Sequence, residues 1–169
     1  MAKKTNESEE LYAALGKFLV SFAEIEHWLS CILAILTDDQ ENIWLTLFFI
    51  DDLMTGKIRE KIRSVANLRL QDNEELLGKL KSTLNEVEEV TKIRNRLVHG
   101  QWIFDSTMTK VHNYKLKRNK ELNVWERLYD EAVSPPHLKE LTEKSERLAN
   151  DLEGLTGEIR EYLETEKPN

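Results

Sequence analysis

The stretch TKIRNRLVHGQW, Thr91 to Trp102, decides how this chain folds, because one kind of sequence texture stops in it and another begins. Working backwards, Leu76, Leu77, Leu80, Leu84, Val87, Val90 and Leu97 recur at helical spacing and carry one apolar stripe down to His99. Asp72, followed three residues later by Glu75, fits a capping box, so a helix is predicted to start there. Gly100 follows as a residue able to take positive φ where the helix closes. Working forwards, QWIFDS, KVHNYKLK and LNVWERLY are rich in β-branched and aromatic residues, with polar turn candidates at Asp105-Ser106 and Arg118-Asn119. A small β-hairpin or three-stranded meander is predicted over 101–133.

The flanks are helical. Apolar residues at 11, 15, 18, 22, 25, 29, 32 and 36 step alternately by four and three, the stripe of a long amphipathic helix, which Asp38, Asp39 and Gln40 interrupt. NIWLTLFFI reads as a short buried helical piece. A further helix is predicted with Ile58, Ile62, Val65 and Leu68 inward and Lys57, Arg59, Lys61, Arg63 and Arg69 outward or flanking. In SPPHLKEL a serine stands at N-cap and a proline at the first helical position, and Leu138, Leu141, Leu148, Leu152, Leu155, Ile159 and Leu163 mark a last long helix. The expectation is a mainly α single domain over 1–169, a helical bundle with a small β insertion before its last helix, and with 1–8 and 165–169 frayed.

Composition narrows the function classes. A net charge of -7 argues against an indiscriminate nucleic-acid coat, although a local basic patch still acts within a Debye length. Cys31 is the one cysteine, which excludes an intramolecular disulfide framework and a cysteine-rich zinc site. No metal ligand set or cofactor motif is visible. The first ten residues lack the apolar core of a signal peptide and no run reaches ~18 uninterrupted apolar residues, so a cytoplasmic protein is expected.

Two guanidiniums, an amide and an imidazole crowd the helix end. At about 100° per residue Asn95 and His99 share a face, whereas Arg94 points away from His99 unless its long side chain reaches round the closing helix. Two such ends meeting across a two-fold axis would bring both Arg94-His99 sets to one cleft. The plainer reading is that basic residues at a helix C-terminus complement its dipole.

RNRLVHG, Arg94 to Gly100, resembles the R-x4-6-H motif of HEPN domains in an Arg-Asn-x-x-x-His form with four intervening residues, near the end of a central helix of an all-α bundle. GKFLVSFAEIEHWLSCIL looks like the opening helix of many prokaryotic HEPN-like proteins. The resemblance covers roughly residues 11–100 and, more loosely, the last helix. It implies a metal-independent endoribonuclease acting as a homodimer on RNA, of the kind that includes toxins and defence effectors, with a cognate antitoxin or other regulatory protein as partner. His99 is then the acid/base, Arg94 holds the phosphate oxygens and Asn95 orients either. Such chemistry suits an imidazole with an ordinary pKa near ~6.5 and a bidentate guanidinium. Arg96 is a weaker candidate, for RNA backbone or for capping the helix. Where one toxin branch continues as His-x-Tyr, with a tyrosine modified by its antitoxin, this chain has Gln101, so that form of control is not expected. The alternative is a catalytically inactive HEPN-like module that binds or assembles RNA, a nucleotide or a protein partner; a third is a plain helical dimer.

Other signals are more ambiguous. Thr109 to Lys120 gathers Lys110, His112, Lys115, Lys117, Arg118 and Lys120 around Tyr114, a basic ribbon able to follow phosphates and stack a base, of which Lys110, Lys115, Lys117 and Arg118 are the RNA-binding candidates. The same lysines would equally protect an exposed sheet edge. The basic residues of 57–63 read as a solvated face or an RNA path. His27 is expected to pack or bond locally with Glu24, and Glu24 and Glu26 are candidates to reach the motif arginine. Trp28, Trp44, Trp102 and Trp125 read as core or dimer-interface anchors.

Overall fold

The computed structural model describes residues 2–37, 54–104, 111–119 and 124–165, with side chains at 8–37, 54–103, 112–118, 124–126 and 132–165. In chain order these form α1 (Ala2–Leu36), α2 (Thr55–Arg69), α3 (Glu74–His99), β1 (Gln101–Phe104), β2 (Val111–Asn119), β3 (Val124–Val133) and α4 (Pro135–Thr165). The fold is therefore mainly helical, with a small antiparallel sheet before the last long helix. NIWLTLFFI, the break at residues 38–40, the Asp105-Ser106 turn, Lys110, Lys120 and Trp44 lie outside the described residues.

The chain divides into two compact units, one of Met1–Val20 and Val90–Glu143, the other of Ser21–Glu89 and Lys144–Asn169. In the second, the helical stripes read from sequence are the core. Phe22, Ile25, Leu29, Ile32 and Leu36 of α1, Leu80, Leu84 and Val87 of α3, and Leu148, Leu152, Leu155 and Ile159 of α4 are buried. On α2, Ile58, Ile62 and Ala66 are buried but Leu68 is 74% exposed, correcting the expected inward stripe. Leu70, the C-cap, is buried in its place and donates its N–H to the Ala66 carbonyl. The basic face of α2 is not simply solvated. Arg59 Nη2 lies 3.0 Å from Glu88 Oε2 on α3, Arg63 Nη2 lies 3.7 Å from the same oxygen, and Arg63 also donates to Asn85 at 2.7 Å.

Helix ends follow local chemistry. The α3 N-cap is Asn73, whose Oδ1 accepts the Leu76 N–H at 3.1 Å; the start is one residue later than the expected Asp72 box. Ser134 caps α4, with Pro135 at the first helical position as predicted and the Ser134 hydroxyl 3.4 Å from the His137 N–H. α1 begins well before Leu11, since periodicity marks only the stretch with an apolar stripe while the polar residues ahead of it also sustain a helix. Within α1, Ser8–Leu36 is long and apolar enough by length and composition to cross a membrane, and half of its most apolar window is buried inside the protein, a profile that core helices share.

In the first unit the sheet order is β1-β2-β3, a meander. Gln101 pairs with Tyr114 and Phe104 with Val111; on the other side Val111 pairs with Val133, and the ladder runs to Asn119 with Val124. Arg118 and Asn119 thus belong to β2, correcting the turn expected there. Between Lys115 and Leu116 the β3 register slips by one, from Tyr129 to Arg127, a β-bulge.

Candidate functional site

The last turns of α3 sort their side chains sharply. Val90, Thr91 and Leu97 are buried, Arg94 and Arg96 are half-buried, and Lys92, Asn95, Val98 and His99 are exposed. Lys92, Asn95 and His99 stand three and then four residues apart, so they form one exposed stripe, and Val98, one turn from Asn95, borders it. Arg94 Nη1 donates to Asn95 Oδ1 at 3.1 Å, so the guanidinium is drawn round to the stripe that carries His99. The imidazole of His99 is exposed and, among the described residues, enters no hydrogen bond. Within one chain Arg94 and His99 remain about 140° apart around the helix axis.

What fixes this helix end is Asn113, which sequence reasoning missed, together with the Trp102 indole. Asn113, in the middle of β2, is completely buried. Its Nδ2 donates to the Arg96 carbonyl at 2.9 Å while its Oδ1 accepts from the Trp102 indole at 3.2 Å. The same indole N–H reaches the Leu97 carbonyl at 2.9 Å, and the Gly100 N–H closes on Arg96 at 2.8 Å. These bonds occupy carbonyls that a helix C-terminus otherwise leaves open. Gly100 does not take positive φ, contrary to expectation. It is required sterically, because a Cβ there would collide with the Asn113 amide and stand 2.6 Å from the Arg96 carbonyl. The available signal was an asparagine inside a strand-like run, where it is disfavoured without a specific partner.

The remaining candidates are dispersed. Lys115, Lys117 and Arg118 are exposed on β2, and Tyr114 and His112 beside them are half-buried. Of the tryptophans, Trp28 and Trp102 are half-buried, but Trp125 is 66% exposed and is not a core residue. In the other unit Glu26 accepts a hydrogen bond from the Thr55 hydroxyl. His27 engages neighbours on its own helix: it lies edge-on to Trp28 with ring centroids 5.2 Å apart and places Nε2 3.7 Å from Cys31 Sγ. Burial pushes the Cys31 thiol up, and Arg160 partly offsets this. Among the described residues no three His, Cys, Asp or Glu side chains gather as a metal site.

An exposed imidazole can exchange protons with an anionic group such as a phosphodiester, and a guanidinium held by an amide can bind one. Set against protein-family models, curated proteins and solved structures, the chain matches none of them.

Proposed function

We propose that the chain is a cytoplasmic, metal-independent endoribonuclease of HEPN type, whose active site is completed by a second copy. His99 takes the proton of a ribose 2'-hydroxyl as its oxygen attacks the adjacent phosphorus, and an imidazolium returns a proton to the departing 5'-oxygen. The P–O5' bond breaks, leaving a 2',3'-cyclic phosphate and a 5'-hydroxyl. Arg94 offsets the charge that builds on the non-bridging oxygens, a task for which a planar guanidinium is better suited than an ammonium. Asn95 positions Arg94, and Arg96 and the cations of β2 hold the strand. The observation that carries the reading is the Arg94–Asn95 bond, made by an asparagine on the same exposed helical stripe as His99. The 140° between Arg94 and His99 around the axis is why a second copy belongs to the proposal. Unrestrained RNA cleavage harms the cell that contains it, so a toxin or defence effector held by an antitoxin or regulatory protein is the biological setting proposed.

Half-burial of Arg94 and its engagement by Asn95 favour one rival, a HEPN-like binding module without catalysis. Both are tested by incubating single-stranded RNA in EDTA with the wild type, His99→Ala and Arg94→Ala. The proposal expects cleavage by the wild type and a loss of at least ~100-fold in each variant, the size expected for removal of a general acid/base. Equal inactivity of three folded, dimeric proteins would favour the binding module.

A further inference from the structure

We propose that the face of the β2–β3 ribbon bearing Tyr114, Leu116, Arg118 and Trp125 is a stacking platform for the unpaired bases of single-stranded RNA, leading to the end of α3. Its link to cleavage rests on the ribonuclease reading; its capacity to bind a strand does not.

Strand alternation puts Tyr114, Leu116 and Arg118 on one face of β2, and residues paired directly across a ladder point the same way. Arg118 pairs with Trp125, so the indole joins that face. The bulge is what makes this so. Had the register of Lys115 with Tyr129 continued unbroken, Arg118 would have met Glu126, and Trp125 would have moved to the opposite face. The slip places an aromatic ring, and not a carboxylate, beside the guanidinium.

That face is open. Trp125 is 66% exposed, Leu116 is 39% exposed, Arg118 is exposed and Tyr114 is half-buried. The opposite face pairs Lys117 with Glu126, so the exposed indole and the guanidinium opposite it are particular to this face. Lys115 and Lys117, on the other face, also guard the β2 edge, since β1 pairs only as far as Tyr114. Edge protection gives no reason for an exposed indole beside an arginine. A guanidinium set among aromatic rings suits a strand whose phosphates meet the cation while its bases stack, a sequence-tolerant mode. The platform also begins at the right place: Gln101, two residues after His99, pairs with Tyr114, and Asn113 clamps the helix end. From Tyr114 to Arg118 the track runs about 13 Å along the strand.

The test measures binding of a fluorescent ten-nucleotide 2'-deoxy strand, which cannot undergo 2'-hydroxyl attack, to wild type, Trp125→Ala, Trp125→Phe and Arg118→Ala. Cleavage of the matching RNA is followed in parallel. The proposal expects ~10-fold weaker binding for Trp125→Ala, near-complete rescue by phenylalanine, a steeper loss with salt for the wild type than for Arg118→Ala, and a raised KM for RNA. Because Trp125 is exposed, its variants should keep the wild-type Tm. Strand binding by wild type that depends on Trp125, without any RNA cleavage, would sink the ribonuclease reading and leave the platform standing. RNA cleavage by wild type with unchanged binding and KM in Trp125→Ala would sink the platform alone. No strand binding by the wild type, or loss of dimerisation in Trp125→Ala with unchanged strand affinity, would also overturn it.

Discussion

Gly100 and Asn113 show how one missing side chain shapes the helix end. The Asn113 amide occupies the space a Cβ at 100 would need, and there it satisfies the Arg96 carbonyl and the Trp102 indole. Gly100→Ala is therefore expected to cost about 2 kcal/mol, since the amide must leave its partners or the helix end must shift. Urea denaturation measures this, and a loss below ~0.5 kcal/mol would show that the helix end yields freely. The motif itself was legible, because Arg94, Asn95 and His99 are close in sequence and their placement follows from helix geometry. The clamp was not. Nothing local at Asn113 reveals that its partners lie at Arg96 and Trp102, and the requirement for glycine comes from that distant amide, not from backbone angles. For Trp125 the core alternative fell for a similar reason: an aromatic residue in a strand is apolar by composition, and only the register decides whether it is covered.

At the scale of elements, the long helices were legible because their buried stripes are long and regular, as in α4, where every predicted inward leucine is buried. Short-range details moved by a residue or two. The α3 cap fell on Asn73 because asparagine competes with aspartate as an N-cap, and the far end of the α2 stripe passed from Leu68 to Leu70 as the helix terminated. The bulge between Lys115 and Leu116 has no sequence signal of its own, so the composition of each sheet face could not be read in advance. Pairing across elements was equally hidden: Glu88 on α3 faces Arg59 and Arg63 of α2. Arg59 is only 12% exposed in its side chain, so Glu88→Gln leaves a largely buried guanidinium with less compensation. The expected loss is about 1–2 kcal/mol, reduced from that of a fully buried pair because Glu88 is partly open to water. Thermal unfolding checks it; an unchanged Tm would mean that Arg59 finds another counter-charge. Lys79, exposed between Glu75 and Glu158, serves as the control, and Lys79→Met should leave Tm unaltered.

For the whole molecule, a net charge of -7 makes non-specific RNA coating unfavourable, so any RNA must be gathered locally. The cations of β2, the arginines at the end of α3 and the exposed ribbon face all belong to one compact unit, whereas the arginines of α2 are engaged in the other. That division supports a strand running over the sheet to His99 and does not call on α2. The central claim is the chemistry assigned to His99, and the ends of the products report it most directly. A defined single-stranded RNA digested by the wild type in EDTA should yield 2',3'-cyclic phosphate and 5'-hydroxyl ends, with no cut at a nucleotide lacking its 2'-hydroxyl. Products with 3'-hydroxyl and 5'-phosphate ends, or cleavage 3' to the deoxy position, would contradict attack by the ribose and with it the role given to His99.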